Sequence, residues 1–218
     1  MNLKFLSATS LFRGATEAEA EAMLQCLGAY EKQYSKGDTI YHAGEYAENM
    51  GMVLSGSVII EIADLWGNTT VLGSVEAGQL FAETYACIPG EALMVSVRAS
   101  EKSTVLFLNA SRLLTTCQSS CAHHARLIQN LLQISAQKNL TLSRRSVHTA
   151  PKTIRGRLLS YLSERAKQSG SFHFTIPFNR QQLADYLGVD RSALSNELSK
   201  MQGDGILTYD KNAFTLKR

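Results

Sequence analysis

The sequence predicts an α+β chain in three parts: a β domain of sandwich, jelly-roll or barrel type, a long connecting helix, and a C-terminal helix-turn-helix closed by a hairpin. Three observations carry this. Between Tyr34 and Asn109, short apolar or alternating runs are separated by Gly37, Gly44, Gly56, Gly67-Asn68, Gly78 and Pro89-Gly90, the pattern of many short strands joined by tight turns. From Ser111 to Arg145 neither Pro nor Gly interrupts the chain, as a long helix requires. Past residue 178 two short helical patterns flank a single Gly188.

The elements follow in order. Thr16-Glu17-Ala18-Glu19 is a capping box, in which the Thr hydroxyl and the Glu carboxylate each satisfy an otherwise orphaned backbone N–H. It opens a helix to about Leu27, with Ala20, Met23, Leu24 and Leu27 on one face. Strands are expected at Thr39–Tyr41, Met50–Leu54, Ser57–Ala63, Thr70–Val75, Leu93–Ala99 and Ser103–Asn109. The long helix carries two adjoining apolar stripes: Leu127, Leu131 and Ile134, and Ile128, Leu132 and Leu140. Two apolar faces can serve two surfaces, the helix's own domain and a second copy of the chain. Asn139 and Lys138 sit among the stripes and leave the heptad register open; Asn139 is either a register-fixing seam residue or an ordinary exposed one. A basic linker, Ser143–Lys152, leads to a helix carrying Ile154, Leu158, Leu159 and Leu162, a break at Ser169-Gly170-Ser171 and a short strand Phe172–Ile176.

The 218 residues are 44% apolar and 19% charged, the balance of a folded globular protein, which excludes wholesale disorder. The net charge of +3 hides an asymmetry. Residues 1–143 hold 9 Lys and Arg against 13 Asp and Glu, and residues 144–218 hold 13 against 6. A basic C-terminal third suits a polyanionic partner. No run approaches a membrane span, and the apolar stretch near the N-terminus is broken by Ser7, Thr9 and Ser10, unlike a signal peptide. Four cysteines, Cys26, Cys87, Cys117 and Cys121, are too few and too unevenly placed for a disulfide framework. A cytoplasmic, reducing location without membrane association is expected.

Phe178 to Leu198 is the informative segment. Asn179 with Gln182 forms a second capping box; Leu183, Ala184 and Leu187 face inward; Gly188 makes the turn; Asp190 caps the next helix, whose inner stripe is Leu194, Leu198 and Met201. Arg191, Ser192, Ser195, Asn196 and Ser199 lie on its outer side, the last four at i, i+3, i+4 and i+7. Arg can grip guanine, Asn adenine, and Ser either donates or accepts with little bulk, so this face suits a major groove. Base reading is assigned to Arg191, Ser192, Ser195 and Asn196, and phosphate contact to Arg180, Gln181, Ser199 and Lys200. Gly205–Tyr209, an Asp210-Lys211-Asn212 turn and Ala213–Leu216 complete a hairpin wing.

This order resembles the cyclic-AMP receptor and fumarate–nitrate reduction regulator (CRP/FNR) family of bacterial transcription regulators, over essentially the whole chain from about Leu11. The resemblance rests on Arg180–Leu198, on the Gly37, Gly44, Gly56, Gly67 and Gly78 spacing, and on Phe81-Ala82-Glu83 followed by Val97-Arg98-Ala99. It implies a double-stranded β-helix (jelly-roll) sensor over residues 1–116, a dimerisation helix and hinge over 117–146, and a winged helix-turn-helix over 147–218. It also implies a homodimer on a palindromic double-stranded DNA operator, and RNA polymerase as a partner for an activator. Both prototypes carry Glu where this chain has Ser192, and Arg where it has Asn196, so a different operator is expected.

The family's effectors are tested against the same residues. Its cyclic-nucleotide binders use Gly-Glu followed by Arg-Ser; here the matching residues are Ala82-Glu83 and Leu93-Met94. A buried phosphate without a cation carries a large desolvation cost, so neither cyclic AMP nor cyclic GMP is the expected effector. Phe81, Ala82, Glu83, Leu93, Met94 and Leu142 outline either an apolar effector pocket or a filled core. The fumarate–nitrate type of iron–sulfur cluster is unsupported: no cysteine precedes Cys26, and Leu106 takes the place of the internal ligand. Cys117, Cys121 and His124 share a helix face at i, i+4 and i+7 and could hold a soft metal or act as a redox pair; ordinary half-buried cysteines are the plainer reading. A small-molecule, haem or redox effector stays open.

A second class, a cupin-like metal enzyme or ligand carrier with an accessory helical domain, needs two or three histidines and a carboxylate on one sheet face. The β region offers His42 with Glu61 and Glu83, and no nucleophile elbow or catalytic carboxylate pair is recognisable. No catalytic residue and no enzyme activity are expected.

Overall fold

The computed structural model describes residues 2–66, 69–115 and 122–217. It divides into two compact units, Met1–Ala136 and Gln137–Arg218.

The first unit opens with helices α1 (Leu3–Ala8) and α2 (Glu17–Cys26); Thr16 and Glu19 form the capping box at the start of α2. Eight strands follow: β1 (Tyr30–Tyr34), β2 (Thr39–Tyr41), β3 (Asn49–Ser55), β4 (Ser57–Ala63), β5 (Thr69–Glu76), β6 (Leu80–Phe81), β7 (Ser96–Ala99) and β8 (Ser103–Asn109), with helix α3 (Glu83–Ala86) after β6. They form two four-stranded antiparallel sheets, ordered β1-β8-β3-β6 and β2-β7-β4-β5. This is the jelly-roll member of the three predicted alternatives.

The β8 run Val105–Leu108 is apolar at every position because its sheet is covered on both faces. Val105 and Phe107 point into the roll with Tyr34, Val53, Val58, Val75, Phe81, Val97 and Ala99. Leu106 and Leu108 join Met50 and Met52 on the other face, against Leu6, Phe12, Met23, Leu24 and Leu113 from the helices. Gly51 of β3 permits one close approach: a Cβ there would stand 2.1 Å from Phe81 Cζ.

The single helix expected from Ser111 to Arg145 is two helices. Helix α4 (Ala110–Leu114) ends at Thr115, which is extended (ψ 138°) and whose hydroxyl donates back to the Ser111 carbonyl. A threonine side chain competes in this way with the helix ladder. Helix α5 (Ala122–Thr149) then runs 28 residues. Its first stripe, Leu127 and Leu131 with Ile134, packs on the α-side core of the first unit. Buried Asn130 donates to the Leu11 and Arg13 carbonyls, and Arg126 donates to the Gly14 carbonyl and pairs with Glu19. The expected linker Ser143–Lys152 is also corrected: it is helical through Thr149, since its Arg and Ser residues do not stop a helix, whereas Pro151 does.

The second unit adds α6 (Ile154–Ser169), β9 (His173–Thr175), α7 (Arg180–Leu187), α8 (Arg191–Gly203), β10 (Leu207–Asp210) and β11 (Ala213–Leu216). The strands make one antiparallel sheet, β10-β11-β9. Its core joins Leu158 and Leu162 of α6, Leu183, Ala184 and Leu187 of α7, and Leu194, Leu198 and Met201 of α8, with Phe174 and Phe214 of the sheet.

Candidate nucleic-acid interface

The interface begins with two local caps. Asn179 and Gln182 complete the capping box that starts α7. Asp190 accepts from the Ser192 and Ala193 amides at the start of α8 and from the Ser192 hydroxyl. The Ser192 hydroxyl bond first, with the Ala193 and Ser192 amides, holds its carboxyl below the usual carboxylate range. Gly188 (φ 62°, ψ 47°) turns the chain between the helices in the left-handed region.

The last four carbonyls of a helix have no partner within it, and in α7 all four are satisfied. The Gly188 amide caps the carbonyls of Ala184 and Asp185. Arg145 of α5 donates to Asp185 and Tyr186, at 2.9 and 3.0 Å. Arg157 of α6 donates to Leu187 at 3.0 Å, to Gly188 at 3.1 Å and to Pro151 at 2.9 Å. Arg155 of α6 grips α8, with 2.5 Å to Glu197 and 2.8 Å to Asp204. Its hydrogen bond to Glu197, then that to Asp204, raises its pKa further. Sequence reading missed these arginines, because all their partners but Pro151 are carbonyls and carboxylates 30 or more residues away.

The outer side of α8 is arranged as follows. Arg191, Ser192, Asn196 and Ser199 are exposed and Ser195 is half-buried. The Ser195 and Ser199 hydroxyls donate one turn back, to the Arg191 and Ser195 carbonyls. Lys200 is exposed near the end of the helix. Gln181 is exposed but engaged, donating to Asp185 at 2.8 Å. Arg180 is half-buried: its guanidinium lies 4.9 Å from the centre of the Tyr209 ring on β10, and burial lowers its pKa. Tyr209, not singled out by sequence, therefore ties the wing to the first residue of α7, and its hydroxyl stands 3.5 Å from Ser199 Oγ.

The effector candidates separate. Phe81, Glu83 and Leu93 are buried in the first unit, and Ala82 is half-buried with a left-handed backbone (φ 58°). Met94 is 68% exposed, so it neither fills a core nor lines an enclosed pocket. Leu142 is exposed and belongs to the second unit. Inside the roll, Tyr41 meets Phe81 and Phe107 edge-on, while exposed Tyr30 stacks on Phe107. Burial pushes the Tyr34 hydroxyl up to about 12 and that of Tyr41 higher still. Arg98 on β7 pairs with buried Glu61 of β4 at 2.9 Å. Cys117 and Cys121 lie outside the described residues, and His124 is buried in α5. Among the described residues no three His, Cys, Asp or Glu side chains are grouped to hold a metal ion, and no helix is long and apolar enough to cross a membrane.

A jelly roll followed by a capped, winged helix-turn-helix defines a sensor joined to a DNA-reading module. Residues 31–120 match the cyclic nucleotide-binding domain and residues 156–218 the Crp-like helix-turn-helix domain. The chain belongs to the CRP/FNR family of transcription regulators, with a DNA-binding helix-turn-helix. The family is one of transcription regulators. The CRP-like protein Clp of Xanthomonas axonopodis pv. citri is 23% identical over 184 residues, which are 82% of this chain and 80% of the relative. The fold is also that of the Thermus thermophilus catabolite activator protein (19% identity, TM-score 0.52, 96% of this chain and 94% of the other). It is likewise that of CprK complexed with OCPA (16% identity, TM-score 0.65, 91% and 90%). The c-di-GMP responsive regulator CLP of Xanthomonas campestris shares it as well (21% identity, TM-score 0.56, 91% and 99%).

Proposed function

We propose that the chain is a homodimeric, sequence-specific regulator that reads a palindromic operator with α8 and responds to an effector other than cyclic AMP or cyclic GMP. The carrying observation is the outward polar face of α8, which Arg155 grips at Glu197, while Arg145 and Arg157 hold the end of the preceding α7. In this reading Arg191, Ser192, Ser195 and Asn196 meet base edges, while Arg180, Gln181, Ser199 and Lys200 meet phosphates. Arg180 acts as an oriented charge on the Tyr209 ring rather than a free one. An activator of this kind engages RNA polymerase.

Dimerisation is supported by the second stripe of α5. Ile128, Leu132 and Leu140 are exposed, Leu132 at 67%, although they are large and apolar. A second copy would cover them. Against a cyclic nucleotide stand the aromatic filling of the roll, buried Leu93 at the position matched to the family's phosphate-binding Arg, and the engagement of Arg98 by Glu61. An unneutralised buried phosphate is too costly to hold there.

The test is selection of operators from random duplexes, then anisotropy titrations of the wild type, Arg191→Ala and Asn196→Ala. Each substitution is expected to cost about 1–3 kcal/mol and relax preference at one base position. Unchanged affinity and preference in both variants would refute the reading. Parallel arms with cyclic AMP, cyclic GMP and c-di-GMP test the effector; the first two are expected to leave affinity unchanged.

A further inference from the structure

A cavity of about 170 Å³ lies within the second unit, away from the outer face of α8. Tyr161, Phe178 and Tyr186 form one wall, their rings 5.0–5.9 Å apart. At the back, buried His148 of α5 is joined to Glu164 of α6 (2.5 Å) and to the Tyr186 hydroxyl of α7 (2.8 Å). Arg144 and Arg165 complete the lining.

The charges here do not cancel. Glu164 is fully engaged: Oε2 meets His148, and Oε1 accepts from Gln168 at 2.7 Å and faces Arg144 at 3.6 Å. Arg165 has no carboxylate partner among the described residues and makes one hydrogen bond, from Nη1 to Gln168. Its Nε–H is buried without a hydrogen-bond partner. Because that Nε–H is sealed from the cavity, an acceptor there would meet the outer Nη side of the guanidinium, where Gln168 takes one bond. The phenols add no negative charge near neutral pH, since burial pushes Tyr161 up to about 12 and also raises Tyr186.

We infer that this cavity is a binding site for a small organic anion with a flat apolar body, an aromatic carboxylate, whose ring lies along Tyr161, Phe178 and Tyr186 and whose carboxylate takes the guanidinium of Arg165. The volume sets the size, since it is below that of drug-sized pockets and suits one ring. Arg supplies the bidentate geometry that a carboxylate needs. The site joins α5, α6 and α7, so an occupant would brace the end of α5 against the helix-turn-helix. The binding itself does not depend on the DNA-reading proposal.

The experiment is calorimetric titration of the full chain with benzoate, benzyl alcohol and inorganic phosphate as probes. Benzoate is expected to bind one per chain, about tenfold or more tighter than either other probe, the factor of a charge-assisted hydrogen bond. Arg165→Gln is expected to bring benzoate down to the level of benzyl alcohol, Arg165→Lys to restore part of the difference, and Phe178→Leu to weaken benzoate while the unit's melting transition is retained. Equal binding of benzoate and benzyl alcohol, phosphate binding as tightly as benzoate, no binding of any probe, or an Arg165→Gln variant that binds benzoate like the wild type would each overturn the proposal.

Discussion

Replacing Arg157 by Ala tests how the helix-turn-helix is held. The side chain makes three hydrogen bonds, to the carbonyls of Pro151, Leu187 and Gly188. A hydrogen bond to a charged group contributes about 1.5–3 kcal/mol. One of these bonds is exposed and two are part-buried, so water replaces part of what is lost and roughly 1 kcal/mol apiece is the expected loss. Arg157→Ala should therefore cost about 3 kcal/mol, which lowers the melting transition of an 82-residue unit by about 12–24 °C. Lysine keeps the charge and reaches one carbonyl at a time, so Arg157→Lys should recover about a third. Calorimetry of the full chain reads the transition, and amide exchange at Gly188 and Val189 locates the loss. A cost below about 0.5 kcal/mol, or full rescue by Lys, would show that the end of α7 is satisfied without this clamp and would remove the argument that Arg157 holds the turn between α7 and α8.

Other expectations are as direct. Gly51→Ala places a Cβ 2.1 Å from the Phe81 ring and should destabilise the first unit by more than about 3 kcal/mol, with partial rescue by Phe81→Leu, in urea unfolding. Ala82→Gly releases a left-handed alanine, a gain of about 1–2 kcal/mol, against about 0.4–1 kcal/mol of added chain entropy, so the melting temperature of that unit should rise by a few degrees. Asp190 has a lowered folded-state pKa, so its cap is fully present above the ordinary carboxylate pKa and is lost as pH falls through the lower folded value. Asp190→Asn, still a capping residue, should abolish that acid dependence in an NMR titration of the Ser192 and Ala193 amides. Leu132→Glu with Leu140→Glu should convert a dimer to a monomer in analytical ultracentrifugation, with helix content by circular dichroism retained.

What could be read from sequence was what chemistry fixes within a few residues. The caps at Thr16, Asn179 and Asp190, the turn at Gly188 and the wing are local, and each stands where its residues predicted. Short elements without periodicity escaped: α1, β1, two-residue β6, and α3, which begins at a left-handed alanine. The split after Leu114 escaped because absence of Pro and Gly permits a helix without enforcing one. At the candidate site, the outward set on α8 was legible because helical spacing alone selects it. The clamp of Arg145, Arg155 and Arg157 was not, since a basic residue does not announce which distant carbonyl it will meet. Met94 shows the same limit from the apolar side: hydrophobicity suggested a pocket or core position that the chain's path does not give it.

Asn130 carries a consequence for motion. Its single amide holds two carbonyls, those of Leu11 and Arg13, beside the buried leucines of α5. Sliding α5 by one turn, about 5.4 Å, would strand that amide and both carbonyls in apolar surroundings. A ratchet along the helix axis is therefore penalised. Within its own unit, α5 is pinned against sliding, by Asn130 and by Arg126 one turn before it.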